Sequence, residues 1–385
     1  MDQECTWQSH DNTGTVVRCD MVRVAQIINR MDYGGIESVV VNYYRHIDHS
    51  RFQFDFYVTE DSLLPQLREL EDMGAKVYRI PPYSHVISYH RCLKKAFKDR
   101  GYQIVHAHLS TMSLFALYAA KRAGVPVRIC HNHSTAQWGE GVKTLLKYML
   151  RPWNQLFATD YFACGDHAAG WMYGKHKLQS AKVSVWPNAI EVDKFTFHDM
   201  VRESVRKELG IPMDAFVVGH IGRFTYPKNH PFLIRIFEEV VRQEKNAYLL
   251  LVGEGECEPE VKELVGQMED SHKVLMVGSR SDCDRLYSAM DVFCLPSFYE
   301  GMPVVAWEAQ ANGLPIVMST AVSHEAGVND NAIYMSLDEA AGQWANQLLK
   351  MQRIPVETAG KKVPNISVYA AKLQQYYEER LKDIS

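Results

Sequence analysis

The chain has no run of eighteen apolar residues, so no segment is long enough to cross a bilayer as a helix. Its first twenty residues, MDQECTWQSHDNTGTVVRCD, lack the positive n-region and apolar h-region of a secretory leader and read as a loose polar tail. None of its eight cysteines forms a CxxC pair. Several sit in apolar runs (RICHNH, DYFACG, DVFCLPS), where a free thiol behaves as a small hydrophobe, and a reducing, cytoplasmic setting is expected. There is no dense basic stripe with interleaved aromatics, which argues against nucleic acid as a partner. Low-complexity tracts and residue-level repeats are also missing. At 46% apolar and 23% charged residues, neither a disordered nor a fibrous protein fits.

What is present is enough chain for two domains: 385 residues. Charge is unevenly spread along it. Residues 21–195 hold 22 Lys and Arg against 15 Asp and Glu, and residues 196–385 hold 19 against 27. A basic first half admits an anionic partner such as the cytoplasmic face of a membrane, although ordinary scatter gives the same imbalance.

Short apolar runs alternate with helix-period segments throughout. VRVAQIIN (22–29), FQFDFYV (52–58), AKVYRI (75–80), YQIVHAH (102–108), VPVRICH (125–131), DYFAC (160–164) and AKVSVW (181–186) read as strands. A second series starts with a helix near 200 and continues through AFVVGHIG, AYLLLVG, KVLMVG, DVFCLPS and LPIVMS. Strands of this length between helices predict parallel pairing with helices on both faces. The expected organisation is a tail over 1–20, an α/β domain over 21–195, a second over 196–365, and a terminal helix over 366–385. That helix carries an apolar and aromatic stripe that must be buried somewhere, for instance against the first domain. Doubly wound sheets bind ligands at the carboxyl ends of their strands, so the loops there are searched for chemistry.

Five features stand out. Glu300 and Glu308 flank and enter a helix start, with Gly301, Met302 and Pro303 between them. They could hold sugar hydroxyls by charge-assisted hydrogen bonds; from spacing alone, capping by Glu300 and a solvated Glu308 is the plainer reading. In GHIGRFTYPKNHP, Arg223 and Lys228 could face a diphosphate beside a helix N-terminus, or be two surface cations. Gly34-Gly35 could cradle phosphate or form an ordinary turn. His106-Ala-His108 and His131-Asn-His133 each end a strand, with both members of a pair on one face. Four imidazoles could bind metal, but no carboxylate accompanies them in either segment, and polar strand ends lining a sugar cleft explain them as well. No metal is therefore assigned. Finally, GVKTLLKYMLRPWNQLF (141–157) places Lys143, Lys147 and Arg151 at spacing four beside apolar and aromatic residues. With HRCLKKAFKDRG (90–101) it could form a membrane-facing surface, or be a core helix with a solvated basic face.

Taken together, these loops resemble the retaining family-4 glycosyltransferases of GT-B fold, and within them the bacterial capsular and exopolysaccharide enzymes. The resemblance rests on Glu300-x7-Glu308 in PSFYEGMPVVAWEAQANGLPIV, on GRFTYPKNHPFLI, LLLVGEGE and GSRSDCDRLYSAMDVFCLPS, and on MDYGGIESVVVNYYRHID, VHAH, CHNHS and WPNAIEVDKF. It implies two Rossmann-like domains facing each other across a cleft. It implies Glu308 on the nucleotide ribose, Glu300 on the transferred sugar, and Arg223 and Lys228 on the diphosphate. Gly34 and Gly35 would approach the diphosphate from the other domain, and Gly301, Met302 and Pro303 would offer backbone to the donor. Gly253 and the neighbourhood of Arg280 would border the base. The family's histidine falls on His131 or His133, with His106, His108 and His133 on the acceptor side. One departure is Asn188-Ala189-Ile190-Glu191, where the family reads Asn-Gly-Ile-Asp.

The implied activity is retaining transfer of a hexose or N-acetylhexosamine from a nucleotide sugar, UDP-linked by expectation, to a glycan or lipid-linked saccharide. No cofactor is implied by the resemblance. Alternatives are a nucleotide-sugar epimerase or hydrolase of the same fold, and a non-catalytic nucleotide-binding partner subunit.

Overall fold

A computed structural model describes residues 8–10, 16–18, 21–32, 35–133, 142–174, 176, 178 and 183–384. They form two units, one over Met1–Asn188 with Ile366–Ser385 and one over Ala189–Asn365.

In the first unit, seven parallel strands run in the order β5-β4-β3-β6-β7-β8-β9. They are β3 (Val22–Ile27), β4 (Phe52–Thr59), β5 (Lys76–Ile80), β6 (Ile104–Ala107), β7 (Val127–Asn132), β8 (Asp160–Ala163) and β9 (Ser184–Val185). Between them lie α1 (Gly35–His46), α2 (Leu67–Asp72), α3 (Val86–Arg100), α4 (Ser113–Ala123), α5 (Val142–Phe157) and α6 (Asp166–Tyr173). All eight residues of β4 are buried, as a strand covered on both faces requires. That leaves Asp55 1% exposed, and the fold compensates it: Arg23 Nε donates to both carboxylate oxygens at 3.0 Å and the Tyr102 hydroxyl donates as well.

The second unit has six parallel strands in the order β12-β11-β10-β13-β14-β15. They are β10 (Phe216–Ile221), β11 (Ala247–Val252), β12 (Val274–Met276), β13 (Val292–Leu295), β14 (Ile316–Ser319) and β15 (Ala332–Met335). Its helices are α7 (Asp199–Leu209), α8 (His230–Gln243), α9 (Glu258–Gly266), α10 (Cys283–Ala289), α11 (Val304–Ala311) and α12 (Ala341–Leu348). Helix α8 buries Leu233, Ile236, Phe237, Val240 and Val241, the 3.6-residue period of a core-facing stripe. Arg206 is fully buried yet satisfied. It donates to the carbonyls of Ala289, Met213 and Ala215 and to Asp291 Oδ2 at 2.7 Å.

The terminal helix, α13 (Ile366–Lys382), belongs to the first unit. It buries Ile366, Ala370, Leu373 and Tyr377 on one face. Tyr376 and Arg380 hold Asp160 of β8 at 2.5 and 2.7 Å, and Arg51 reaches Glu378 at 2.7 Å.

The structure departs from the sequence reading in three places. The tail carries an antiparallel pair, β1 (Gln8–His10) with β2 (Val16–Arg18), because β-branched Val16 and Val17 pair opposite His10 and Ser9. The join falls at 188/189 rather than 195/196. Residues 189–195 are tied to the second unit by the Ile190–Asn365 bridge, by Ile190 N on Pro364 O at 3.1 Å, and by Asn312 Nδ2 donating to Phe195 O at 2.7 Å. The run LLPQLREL (63–70) reads as a short helix, but α2 starts four residues later, because Leu64 adopts φ 57° while its N–H bonds Met31 O.

Leu373→Ala, by leaving a cavity under α13, is expected to destabilise the first unit by about 2–5 kcal/mol. Hydrogen exchange checks it: amides of β3 to β8 should lose protection while those of β10 to β15 keep theirs.

Candidate active site

Strand order reverses in the second sheet between β10 and β13, which pair directly (Val218 with Val292, Gly219 with Phe293). At such a switch point the following loops diverge and leave a crevice at the carboxyl ends of the strands. The loop after β10 carries Gly222, Arg223 and Lys228, and the loop after β13 carries Ser297 and Glu300.

The structure brings Lys228 and Glu300 together: Nζ lies 2.5 Å from Oε1, with each side chain 16% exposed. Ser297 Oγ donates to the same oxygen at 3.1 Å. The two loops are also pinned elsewhere. Phe298 N donates to Pro227 O at 2.8 Å, the rings of Tyr226 and Phe298 stack at 4.9 Å, and buried Asn229 donates from Nδ2 to Pro296 O at 3.0 Å. Asn229 turns the chain into α8 at φ 56°, a conformation that Asn tolerates better than most residues. Glu300 also bridges Val322 in the loop after β14. Arg223 is exposed and makes no ion pair among the described residues.

Glu308 lies inside α11, a little more than one turn beyond its N-cap, Pro303. Its Oε2 accepts a 2.6 Å hydrogen bond from the Tyr287 hydroxyl of α10. Burial pushes the Glu308 carboxyl above the ordinary range, with the Tyr287 bond opposing that shift. Met302 is buried, Gly301 is partly exposed, and the first turn of α11 brings free N–H groups to the same loop.

Two buried histidines flank Lys228. His220 Nδ1 contacts Cys294 O at 2.8 Å, and His230 has no partner on either nitrogen among the described residues. Burial, with Lys228 adding to it, lowers His230 to about 4 and drives His220 well below its usual value, so both are neutral at pH 7.

Gly253 lies where β11 ends, at φ +135°, and a Cβ there would fall 2.1 Å from Gly222 O. Glycine is required twice over, by conformation and by the close approach of two backbones. A Cβ on Gly255 would likewise fall 2.3 Å from Phe224 O. Arg280 is already committed. It holds Asp282 at 2.7 Å and Glu208 at 2.8 Å, which ties the loop after β12 to α7.

The first-unit candidates behave differently. Gly34 lies outside the described residues, as do the side chains of Lys143 and Lys147. Gly35 opens α1 with nothing within 4 Å of where its Cβ would be, so no close approach is made there. His106, His108, His131 and His133 are 2–5% exposed. Their rings stack within each pair at 4.2 and 4.0 Å and face the interior, beside Val39, Tyr43, Phe162, Trp186 and Leu373. The expected open row of sugar-facing histidines is thus an interior cluster, because α1 and α13 cover that side of β6 and β7.

Sequence reasoning missed Tyr287, Ser297, His220 and His230. Ser297 is three residues from Glu300, a spacing that could have found it. Tyr287 reaches Glu308 only through the packing of α10 on α11.

Comparison with known proteins gives the family. Residues 33–194 match the family described as Glycosyltransferase Family 4, and residues 215–353 match Glycosyl transferases group 1. A Bacillus subtilis (strain 168) protein that carries the name glycosyltransferase EpsF is 31% identical over 335 residues, covering 85% of this chain and 87% of that protein. The chain belongs to the family-4 glycosyltransferases. An Escherichia coli relative of this family, named UDP-Gal:alpha-D-GlcNAc-diphosphoundecaprenol alpha-1,3-galactosyltransferase, is 25% identical over 311 residues, 77% of this chain and 79% of that one. Among solved structures, Anabaena HepE in complex with UDP and glucose superposes with a TM-score of 0.72 at 18% identity, covering 94% of this chain and all of that one. Sucrose-phosphate synthase from Thermosynechococcus elongatus superposes at 0.76 with 18% identity and the same coverage. The fold of this glycosyltransferase is GT-B.

Gly253→Ala is expected to destabilise the second unit by about 2–4 kcal/mol through backbone displacement at Gly222. Denaturant unfolding followed by exchange in β10 and β11 measures it, and Gly266→Ala, with open space at its Cβ, serves as the neutral control.

Proposed function

We propose that this glycosyltransferase moves a hexose or N-acetylhexosamine, with retention and without a metal cofactor, from a UDP-sugar to a glycan or lipid-linked saccharide in surface polysaccharide synthesis. The observation that carries the reading is the Lys228–Glu300 pair at the β10/β13 crevice, beside the Glu308–Tyr287 bond. The names of the relatives support the donor and acceptor classes: one acts on UDP-Gal and a diphosphoundecaprenol-linked sugar, and another, from Staphylococcus aureus, is named for capsular polysaccharide biosynthesis.

In this reading Glu308 accepts hydrogen bonds from the ribose hydroxyls, and the Tyr287 hydroxyl holds it in place. Lys228 turns from Glu300 toward the diphosphate when the donor arrives, which frees Glu300 to accept from the sugar hydroxyls. As the anomeric C–O bond to the diphosphate breaks, negative charge grows on the leaving phosphate. Lys228, Arg223 and the N–H groups at the start of α11 stabilise that charge where it develops. The acceptor hydroxyl attacks from the face being vacated, forms the new glycosidic bond, and passes its proton to the leaving phosphate oxygen. No enzymic nucleophile is needed for retention by that route. Gly253 and the loop bearing Arg280 border the donor pocket in this reading. Buried inside the first unit, His131 and His133 are given no sugar contact in this reading.

The same reading places the enzyme at the cytoplasmic face of a membrane. Helix α3 presents Arg91, Lys94, Lys95 and Lys98 along a groove of about 680 Å³ whose apolar rim includes Ile87, 76% exposed. Helix α5 exposes Met149, Trp153 and Leu156. Cations beside exposed apolar groups suit an anionic lipid surface.

Lys228→Ala and Glu300→Gln are each expected to lower transfer from UDP-sugars by at least about 100-fold with the circular-dichroism melting curve unchanged. Turnover within threefold of wild type in both would overturn the assignment. Sedimentation with vesicles containing anionic lipid should fall at least fivefold on reversing Lys94, Lys95 and Lys98 to Glu, and vesicles of zwitterionic lipid should bind neither protein.

A further inference from the structure

The histidine cluster of the first unit is more than satisfied core. His108 directs Nε2 at Gln26 Oε1, 2.8 Å away, and His133 directs Nδ1 at Asn188 Oδ1, 3.2 Å away. Carbonyl oxygens only accept, so the ring nitrogens facing them carry the protons. A neutral imidazole has one N–H. The two nitrogens left over, His108 Nδ1 and His133 Nε2, are then both lone pairs, yet they lie 2.9 Å apart. In that tautomer the two lone pairs face each other across 2.9 Å, an arrangement that a cation bound to both would relieve.

The second pair is also joined ring to ring, but here a hydroxyl can donate to the outer nitrogen. His106 Nε2 faces His131 Nδ1 at 3.1 Å, and His106 Nδ1 is engaged by the Tyr377 hydroxyl at 2.8 Å. His131 Nε2 has no partner of hydrogen-bond geometry among the described residues, with only the Trp186 backbone nearby. One nitrogen from each of His106, His108 and His131 falls within a common span of 4.8 Å.

We propose that His106, His108 and His131 bind one transition-metal ion, Zn²⁺ first among them, inside the first unit, with His133 beside His108 to complete four ligands. The ligand set is all imidazole, which suits Zn, Cu or Ni and not oxygen-seeking Mg or Ca. Tetrahedral Zn–N bonds of about 2.0–2.1 Å put ligand nitrogens about 3.3 Å apart, a few tenths of an ångström wider than the two contacts. Gln26, Asn188 and Tyr377 supply the outer hydrogen bonds that fix which nitrogen of each ring faces inward. The sequence reading assigned no metal because no carboxylate is near. Neutral ligands need none to bind a divalent ion. The ion is structural: it clamps β6 to β7 and, through Tyr377, secures α13, and it takes no part in the transfer step.

The test is metal analysis of the purified full chain, as isolated and after chelation and reloading with Zn²⁺ or Co²⁺. About one transition ion per chain is expected, with the intense visible bands of tetrahedral Co²⁺ in the cobalt form and a higher melting temperature for reloaded than for chelated protein. His108→Gln and His131→Gln should each lower the stoichiometry at least tenfold. His167→Gln, at a histidine outside the cluster, should leave it unchanged. Less than 0.1 ion per chain in both the isolated and the reloaded wild type overturns the proposal, a reading that needs no folded variant. Stoichiometric binding that survives both cluster substitutions overturns it equally.

Discussion

The Lys228–Glu300 contact spans 72 positions of sequence and exists only because the second sheet reverses its strand order. Chain order would separate β10 from β13 by two strands. The reversal makes them neighbours and opens a gap where their loops turn opposite ways. Everything proposed for the donor site depends on that constraint. A cation from one loop and a carboxylate from the other neutralise each other at rest, in a setting dry enough for the pairing to hold but open enough for a diphosphate to compete. Pinning of the two loops through Asn229, Phe298 and Tyr226 fixes that competition in space, so little ordering remains to be done when a ligand binds.

The architecture was legible because parallel strands buried on both faces must be written in apolar residues. FQFDFYV and DVFCLPS leave little other reading, and the intervening helices carry their own period. The chemistry-bearing carboxylates and cations were legible because Glu300, Glu308, Arg223 and Lys228 all follow strands, where a doubly wound sheet exposes its loops. What the sequence hid is what tertiary packing alone decides. Tyr287 is an ordinary aromatic in a short helix until α10 meets α11. Arg206 looks like a surface cation in VRESVRKELG but is buried against five acceptors, because Asp291 and four carbonyls converge on it. Residues 189–195 read as first-domain sequence and belong to the second, since the Ile190–Asn365 bridge has no local signature.

The histidines show the same limit in another form. Alternation along β6 and β7 correctly predicts that each pair shares a face, because that follows from strand geometry alone. Which face, and what covers it, is decided by a helix more than 230 residues further on, so a row that reads as polar strand ends becomes an interior one.

The return of α13 to the first unit has a consequence for how the protein is made. The lobe translated first lacks a wall until its final twenty residues have left the ribosome, whereas Ala189–Asn365 has all its parts in hand earlier. Synthesis therefore finishes the two lobes in the reverse of the order in which it begins them. During that interval the nascent N-terminal sheet leaves Phe52, Phe54 and the imidazole rings of β6 and β7 uncovered, and the emergence of α13 is what seals it.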